Sequence, residues 1–181
     1  GSKLTELDQG FSGGILSGSF NPIHQGHIGL AKLASKILNS ATAFEISVTN
    51  VDKDPLDSEE VNRRISQFNK NETTFLTSAP LFSQKSEIFK NSTFIIGNDT
   101  AVRLMDPKYY ENSIDTMYES LKIIQDNGCE FLVAGRLQDS NFKTVLDVSI
   151  PENFTSMFRE IPEDQFRIDL SSTELRKNKT G

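Results

Sequence analysis

Short apolar runs alternate along this chain with longer stretches whose apolar residues recur every three or four positions. Gly13–Leu16 reads as a first strand. Ile28–Leu38 repeats apolar residues at Ile28, Leu30, Ala31, Leu33, Ala34, Ile37 and Leu38, which is helical spacing. Phe44–Thr49 alternates as a second strand. Asp57 or Ser58 then caps a helix to about Phe68, with Glu59 and Glu60 favourable in its first turn. Thr73–Ser78 is a third strand, Phe82–Phe89 a short helix, and Thr93–Ile96 a fourth strand ending at Gly97. Ser113–Ile124 places Ile114, Met117, Tyr118, Leu121 and Ile124 on one helical face and stops at Asn127-Gly128. Glu130–Ala134 is a fifth strand; Phe166–Leu170 is a candidate sixth, followed by a helix from Ser171.

This alternation predicts one α/β domain: a Rossmann-like, mostly parallel sheet of five to six strands with flanking helices. On such sheets ligands bind beyond the carboxyl ends of the strands, where the strand order switches. The candidate motifs all fall just after an expected strand.

Composition narrows the classes of function. The 181 residues suit a single domain, with Gly1-Ser2 set aside as a probable tag remnant. The net charge is −6 and no basic stripe is visible, which argues against a nucleic-acid partner. An anionic substrate must therefore meet local positive groups in a cleft. The single cysteine, Cys129, rules out an internal disulfide and a multi-cysteine zinc site, and it fits a reducing, cytoplasmic setting. No apolar run reaches the ~20 residues of a membrane span, and no signal-peptide stretch is visible at the N-terminus. A homo-oligomer stays open.

The only two histidines, His24 and His27, lie in Ser17-Gly-Ser-Phe-Asn-Pro-Ile-His-Gln-Gly-His27, between the first strand and the first helix. Residues three apart on a helix share a face, so the two rings can point the same way. Gly26 between them lets a ligand approach the backbone. A helix N-terminus adds free N–H groups and partial positive charge, which suit phosphate. Without Cys nearby, two histidines make only half of a zinc ligand set.

Near the other end, Ile168-Asp-Leu-Ser-Ser-Thr-Glu-Leu-Arg176 has capping-box spacing at Ser171 and Glu174. Its functional reading adds Ser172, Thr173 and Arg176 as a phosphate clamp, since an arginine fork matches phosphate. In the middle, Phe94-Ile-Ile-Gly97-Asn98-Asp99 ends a strand, and either Asn98 or Asp99 could simply cap a helix. Leu81-Phe82 reads as core, and Thr77-Ser78-Ala79-Pro80 as a pocket wall.

The histidine segment resembles the (His/Thr)-x-Gly-His signature of the nucleotidyltransferase superfamily. More narrowly, Gly18-Ser19-Phe20-Asn21-Pro22-Ile23-His24 looks like nicotinamide or nicotinate mononucleotide adenylyltransferases. The C-terminal segment resembles that family's closing Ile-Ser-Ser-Thr-x-(Ile/Leu)-Arg motif, and Gly97-x-Asp99 its Gly-x-Asp strand end.

The resemblance implies transfer of AMP from ATP to a mononucleotide, with pyrophosphate released, as in NAD biosynthesis. Mg²⁺ would ride on the triphosphate, as no carboxylate cage is evident. It also implies site residues: His24, His27 and Arg176 as the catalytic set, with Gly18, Ser19, Phe20, Gly26, Gly97, Asp99, Arg136, Ser171, Ser172 and Thr173 around ATP. Asn21, Lys53, Arg63, Thr77 and Tyr109 would meet the acceptor, and Arg64 competes with Arg63 for the same role. The family's mononucleotide enzymes usually carry a Trp after Gly-x-Asp. This chain has none, and Tyr109 or Tyr110 takes its place as the stacking ring. Phosphopantetheine or glycerol-3-phosphate as acceptor, or a nucleotide-binding regulator without turnover, are the alternatives.

Overall fold

The computed structural model describes residues 10–49, 54–138 and 141–166. Its elements in chain order are β1 Gly14–Ser17, α1 Gln25–Leu38, β2 Thr42–Ser47, α2 Ser58–Ile65, β3 Thr74–Thr77, α3 Phe82–Ile88 and β4 Thr93–Gly97. Then come α4 Asn98–Leu104, α5 Ile114–Asp126, β5 Glu130–Ala134, β6 Arg136–Gln138, β7 Asn141–Lys143 and β8 Phe158–Ile161, with short 3-10 turns between. Six strands form one sheet in the order β3-β2-β1-β4-β5-β8, every neighbouring pair parallel. This is a Rossmann-like α/β fold, and the strand order reverses between β1 and β4.

Both faces of the sheet are covered, so both sides of each central strand are apolar. Ile15, Phe94, Ile96, Phe131 and Val133 pack with Ala101, Leu104, Met117, Leu121 and Ile124 from α4 and α5. Leu16, Phe44, Ile46, Ile95 and Leu132, the alternate positions, pack with Leu30, Ala31 and Ala34 of α1. The period-two alternation thus splits one sheet between two cores.

Local chemistry sets the boundaries. Asp57 caps α2 by accepting from the Glu60 N–H at 2.8 Å, and Ser113 caps α5 through the Thr116 N–H at 3.1 Å. Asn39, at φ 47°, ends α1 with its N–H turned back to the Lys36 and Ser35 carbonyls. Gly128 follows α5 at φ +68°, beside Asn91, where a Cβ would collide with the Asn91 side chain.

Three features depart from the sequence pattern. Phe158–Ile161 is the sixth strand of the sheet and was not read as one, whereas the expected strand Phe166–Leu170 lies, beyond Phe166, outside the described residues. Phe-Arg-Glu-Ile buries only its two ends at the sheet edge, which leaves no alternation to read. The antiparallel β6–β7 pair was not anticipated, because each strand has only three residues. The alternation of β2 also suggests one wet face, yet Glu45 is fully buried.

Candidate active site

β1 ends at Ser17, and the chain turns through Gly18–Ile23 into α1. Phe20 sits in the left-handed region at φ 43° and the Asn21–Pro22 peptide is cis. This loop is held from α2 and the turn after it. The Arg64 guanidinium donates to the Ser19 carbonyl at 3.0 Å, Gln67 donates to the Phe20 carbonyl at 3.0 Å, and its side-chain oxygen accepts from the Ile23 N–H at 3.1 Å.

His24 is the extended N-cap of α1 rather than a helical residue. Its ring still reaches His27: the two imidazoles stack with centroids 3.7 Å apart and planes 24° off parallel. The His24 backbone N–H donates to His27 Nδ1 at 3.2 Å. An acceptor at Nδ1 leaves the proton of neutral His27 on Nε2. Burial, and then the neighbouring His24, hold the His27 pKa down to about 4; burial also lowers that of His24. Both rings are therefore neutral donors at neutral pH, not cations. His24 Nδ1 is buried and has no hydrogen-bond partner among the described residues.

The histidines open onto a cavity of about 280 Å³ at the switch point between β1 and β4. Gly26, Gly97, Asp99 and Arg136 line it too, so six of the expected residues meet there. A Cβ on Gly97 would meet nothing within 4 Å, so packing does not demand glycine at this wall. Asp99 is not free, because Arg136 pairs with it. Asn98 is buried and donates to the Thr144 carbonyl at 2.6 Å, tying the start of α4 to the segment after β7. Phe166, not anticipated here, closes one side.

A second cavity of about 450 Å³ lies across β1. Gly18 and Ser19, expected around ATP, line this one, with Asn21. Ser17 lines both cavities, and its hydroxyl oxygen is buried without a partner among the described residues. The structure also separates the two candidate arginines. Arg64 faces the second cavity with its side chain only 11% exposed, whereas Arg63, at 48%, turns to Asn21 and Glu60. Hydrogen bonds from Arg63 first, then Arg64, hold the Glu60 carboxyl down to about 2.

Other expectations shift. Phe20 is core: it is 2% exposed and packs edge-on against His27, Phe44 and Phe68. Its ring packs on His27 and lines neither cavity. Thr77 is buried, and its hydroxyl donates to Glu45 Oε1 at 2.5 Å. Tyr109 lines a third cavity of about 190 Å³, with Arg103 and Lys108 over its ring. Phe82, read as core, lines the second and third cavities while packing on the core, and Thr100 borders all three. Lys53, Ser171, Ser172, Thr173 and Arg176 lie outside the described residues.

The sequence reading missed the floor of the second cavity. Lys85 Nζ meets Glu45 Oε1 at 2.7 Å and Oε2 at 2.8 Å, with side chains 6% and 1% exposed. Desolvation lowers the Lys85 pKa and Glu45 opposes it. The available signal was a lone Glu within an apolar strand.

Comparison with known proteins shows the family. Residues 15–178 match the model of the cytidylyltransferase-like family. Over 111 residues the chain is 30% identical to a Schizosaccharomyces pombe protein provisionally named a nicotinamide mononucleotide adenylyltransferase. That match covers 54% of this chain and 43% of the relative, so the chain spans less than half of that protein. Among the described residues no helix is long and apolar enough to cross a membrane.

Proposed function

The chain belongs to the cytidylyltransferase-like family, and from that premise we propose that it transfers AMP from ATP to the phosphate of a pyridine mononucleotide. The observation that carries the reading is the pair of cavities meeting at Ser17, with the stacked histidines on one side and Arg64 on the other. ATP takes the first cavity, its phosphates toward His24, His27 and the N-terminus of α1. The acceptor takes the second, its phosphate near Arg64 and Ser19. An acceptor phosphate oxygen attacks the α-phosphorus, the new P–O bond forms, and the bond to the bridging oxygen breaks. Pyrophosphate leaves with that electron pair.

Little covalent work falls to the protein. Negative charge grows on the transferring and leaving oxygens, and fixed donors stabilise it. His27 suits this because its Nδ1 is already engaged, which fixes Nε2–H as the outward donor. Among the described residues no group of three or more His, Cys, Asp or Glu could hold a metal. Mg²⁺ belongs to this proposal as part of the ATP substrate, bound through phosphate oxygens. Ser171–Thr173 and Arg176, which lie outside the described residues, take the β- and γ-phosphates in this proposal by their motif alone.

The test is pyrophosphate release from ATP·Mg²⁺ with nicotinamide mononucleotide, nicotinate mononucleotide, phosphopantetheine and glycerol-3-phosphate, with CTP as the other donor. Turnover with a pyridine mononucleotide is expected. His27→Ala should lower kcat by roughly a hundredfold or more while the far-UV spectrum stays unchanged. Turnover with another acceptor alone sinks the acceptor assignment, and full activity in His27→Ala sinks the role of that histidine. ATP binding without pyrophosphate release from any acceptor would instead mark a nucleotide-binding regulator.

A further inference from the structure

The floor of the second cavity is an ion pair that the transfer step does not use. Glu45 and Lys85 are the only two charged residues among the buried polar side chains of the described chain. They come from β2 and α3, forty positions apart, and both line the cavity. Two of the three Lys85 N–H groups go to Glu45, so among the described residues one donor remains for a ligand. Glu45 Oε1 is further held by Thr77. The lysine is thereby fixed in place and already neutralised.

The charges around the cavity are balanced in the same way. Among the described residues its lining holds Glu45, Asp54, Arg64 and Lys85, two of each sign. Arg63 and Arg64 share the carboxylate of Glu60, and Arg64 carries its guanidinium to the α2 end of the cavity. That end suits one phosphate. The floor offers hydrogen bonds without net charge: the spare Lys85 donor and the Ser17 hydroxyl, which has no partner among the described residues. A second anion placed there would stand close to Glu45 where solvent screens little.

We infer that the second cavity selects an acceptor whose phosphate is its one anionic group and whose head is an uncharged hydrogen-bonding group, an amide in preference to a carboxylate, and that the Glu45–Lys85 pair sets this choice. The inference rests on reading that cavity as the acceptor site. A carbonyl oxygen accepts from Lys85 without adding charge, and Glu45 acts as the positioning residue behind it. Among the described residues the group that would favour the opposite choice lies in the third cavity. There Arg103 is exposed, lies 5.8 Å from the Tyr109 ring and forms no ion pair among the described residues.

Calorimetric titration of the full chain with nicotinamide mononucleotide and with nicotinate mononucleotide, alongside turnover, tests this. The amide should bind about tenfold tighter or better, a difference of one affinity decade. Glu45→Gln keeps the shape and removes the negative charge, so the ratio should swing toward the acid by a similar factor. Arg103→Gln should leave the ratio unchanged. If Glu45→Gln does not fold, the Glu45→Gln, Lys85→Met double variant replaces it, and in that protein the amide advantage should vanish. Equal or tighter binding of the acid by the wild type overturns the inference and leaves the adenylyl-transfer reading standing. So does a ratio that survives the Glu45 substitution, or one that follows Arg103. Binding of neither mononucleotide overturns the acceptor reading and this inference together.

Discussion

His27 shows how one side chain can be read at two depths. The residue type and its place in the first turn of a helix pointed to phosphate chemistry, but its protonation state belongs to the fold. Its pKa is held to about 4 against an unfolded value near 6.5. The group is neutral in both states above about pH 6.5, so its contribution to stability is fully present there. Between about pH 6.5 and 4 the unfolded chain takes up a proton that the folded one refuses, and that stability is lost as pH falls toward the folded value. Urea midpoints measured at pH 7 and pH 4.5 should therefore fall less in His27→Gln than in the parent. An identical drop would mean that the ring does not titrate as its burial dictates.

At the scale of elements, α2 is the exposed one that matters. It buries no residue, so local bonds hold it: the Asp57 cap, Arg64 on the Ser19 carbonyl, and the Gln67 contacts beyond its end. Asp57→Ala should cost about 1 kcal/mol of helix stability, as loss of a cap usually does. Because α2 carries Arg64 to the second cavity, the KM for the acceptor should rise severalfold, with that for ATP nearly unchanged. Equal effects on both substrates would refute the assignment of α2 to the acceptor side. The elements themselves were mostly legible. The cap at Asp57, the stop at Asn127-Gly128 and the apolar stripe of α5 are local signals. The edge strand Phe158–Ile161 was not, because its pattern depends on the neighbour it pairs with.

Across the whole molecule, the Glu45–Lys85 pair ties the sheet to α3. Buried ion pairs are costly to desolvate, and removing one partner leaves the other charge stranded. Lys85→Met should destabilise the protein by roughly 3–5 kcal/mol, whereas Glu45→Met with Lys85→Met should cost far less. Denaturant titration of the parent, the two single Met variants and the double variant checks this, and additive losses would count against a coupled pair. The same pair explains why so charged a residue sits in an apolar strand.

By itself the sequence determined the class of fold, the order of the first five sheet strands and the placement of the histidine and Gly97-x-Asp99 motifs at strand ends, because periodicity, caps and turn residues act over a few positions. It also determined that His24, Gly26 and His27 stand together at the start of a helix. Tertiary structure alone decided that Gly18 and Ser19 belong with the second cavity, that Arg64 faces it in place of Arg63, and that Phe20 supports a histidine from within the core. It decided too that Glu45 is buried against Lys85. Those choices turn on which side of β1 a loop falls and which face of a strand a distant helix covers. Such packing joins residues forty positions apart, and no window along the chain contains both partners.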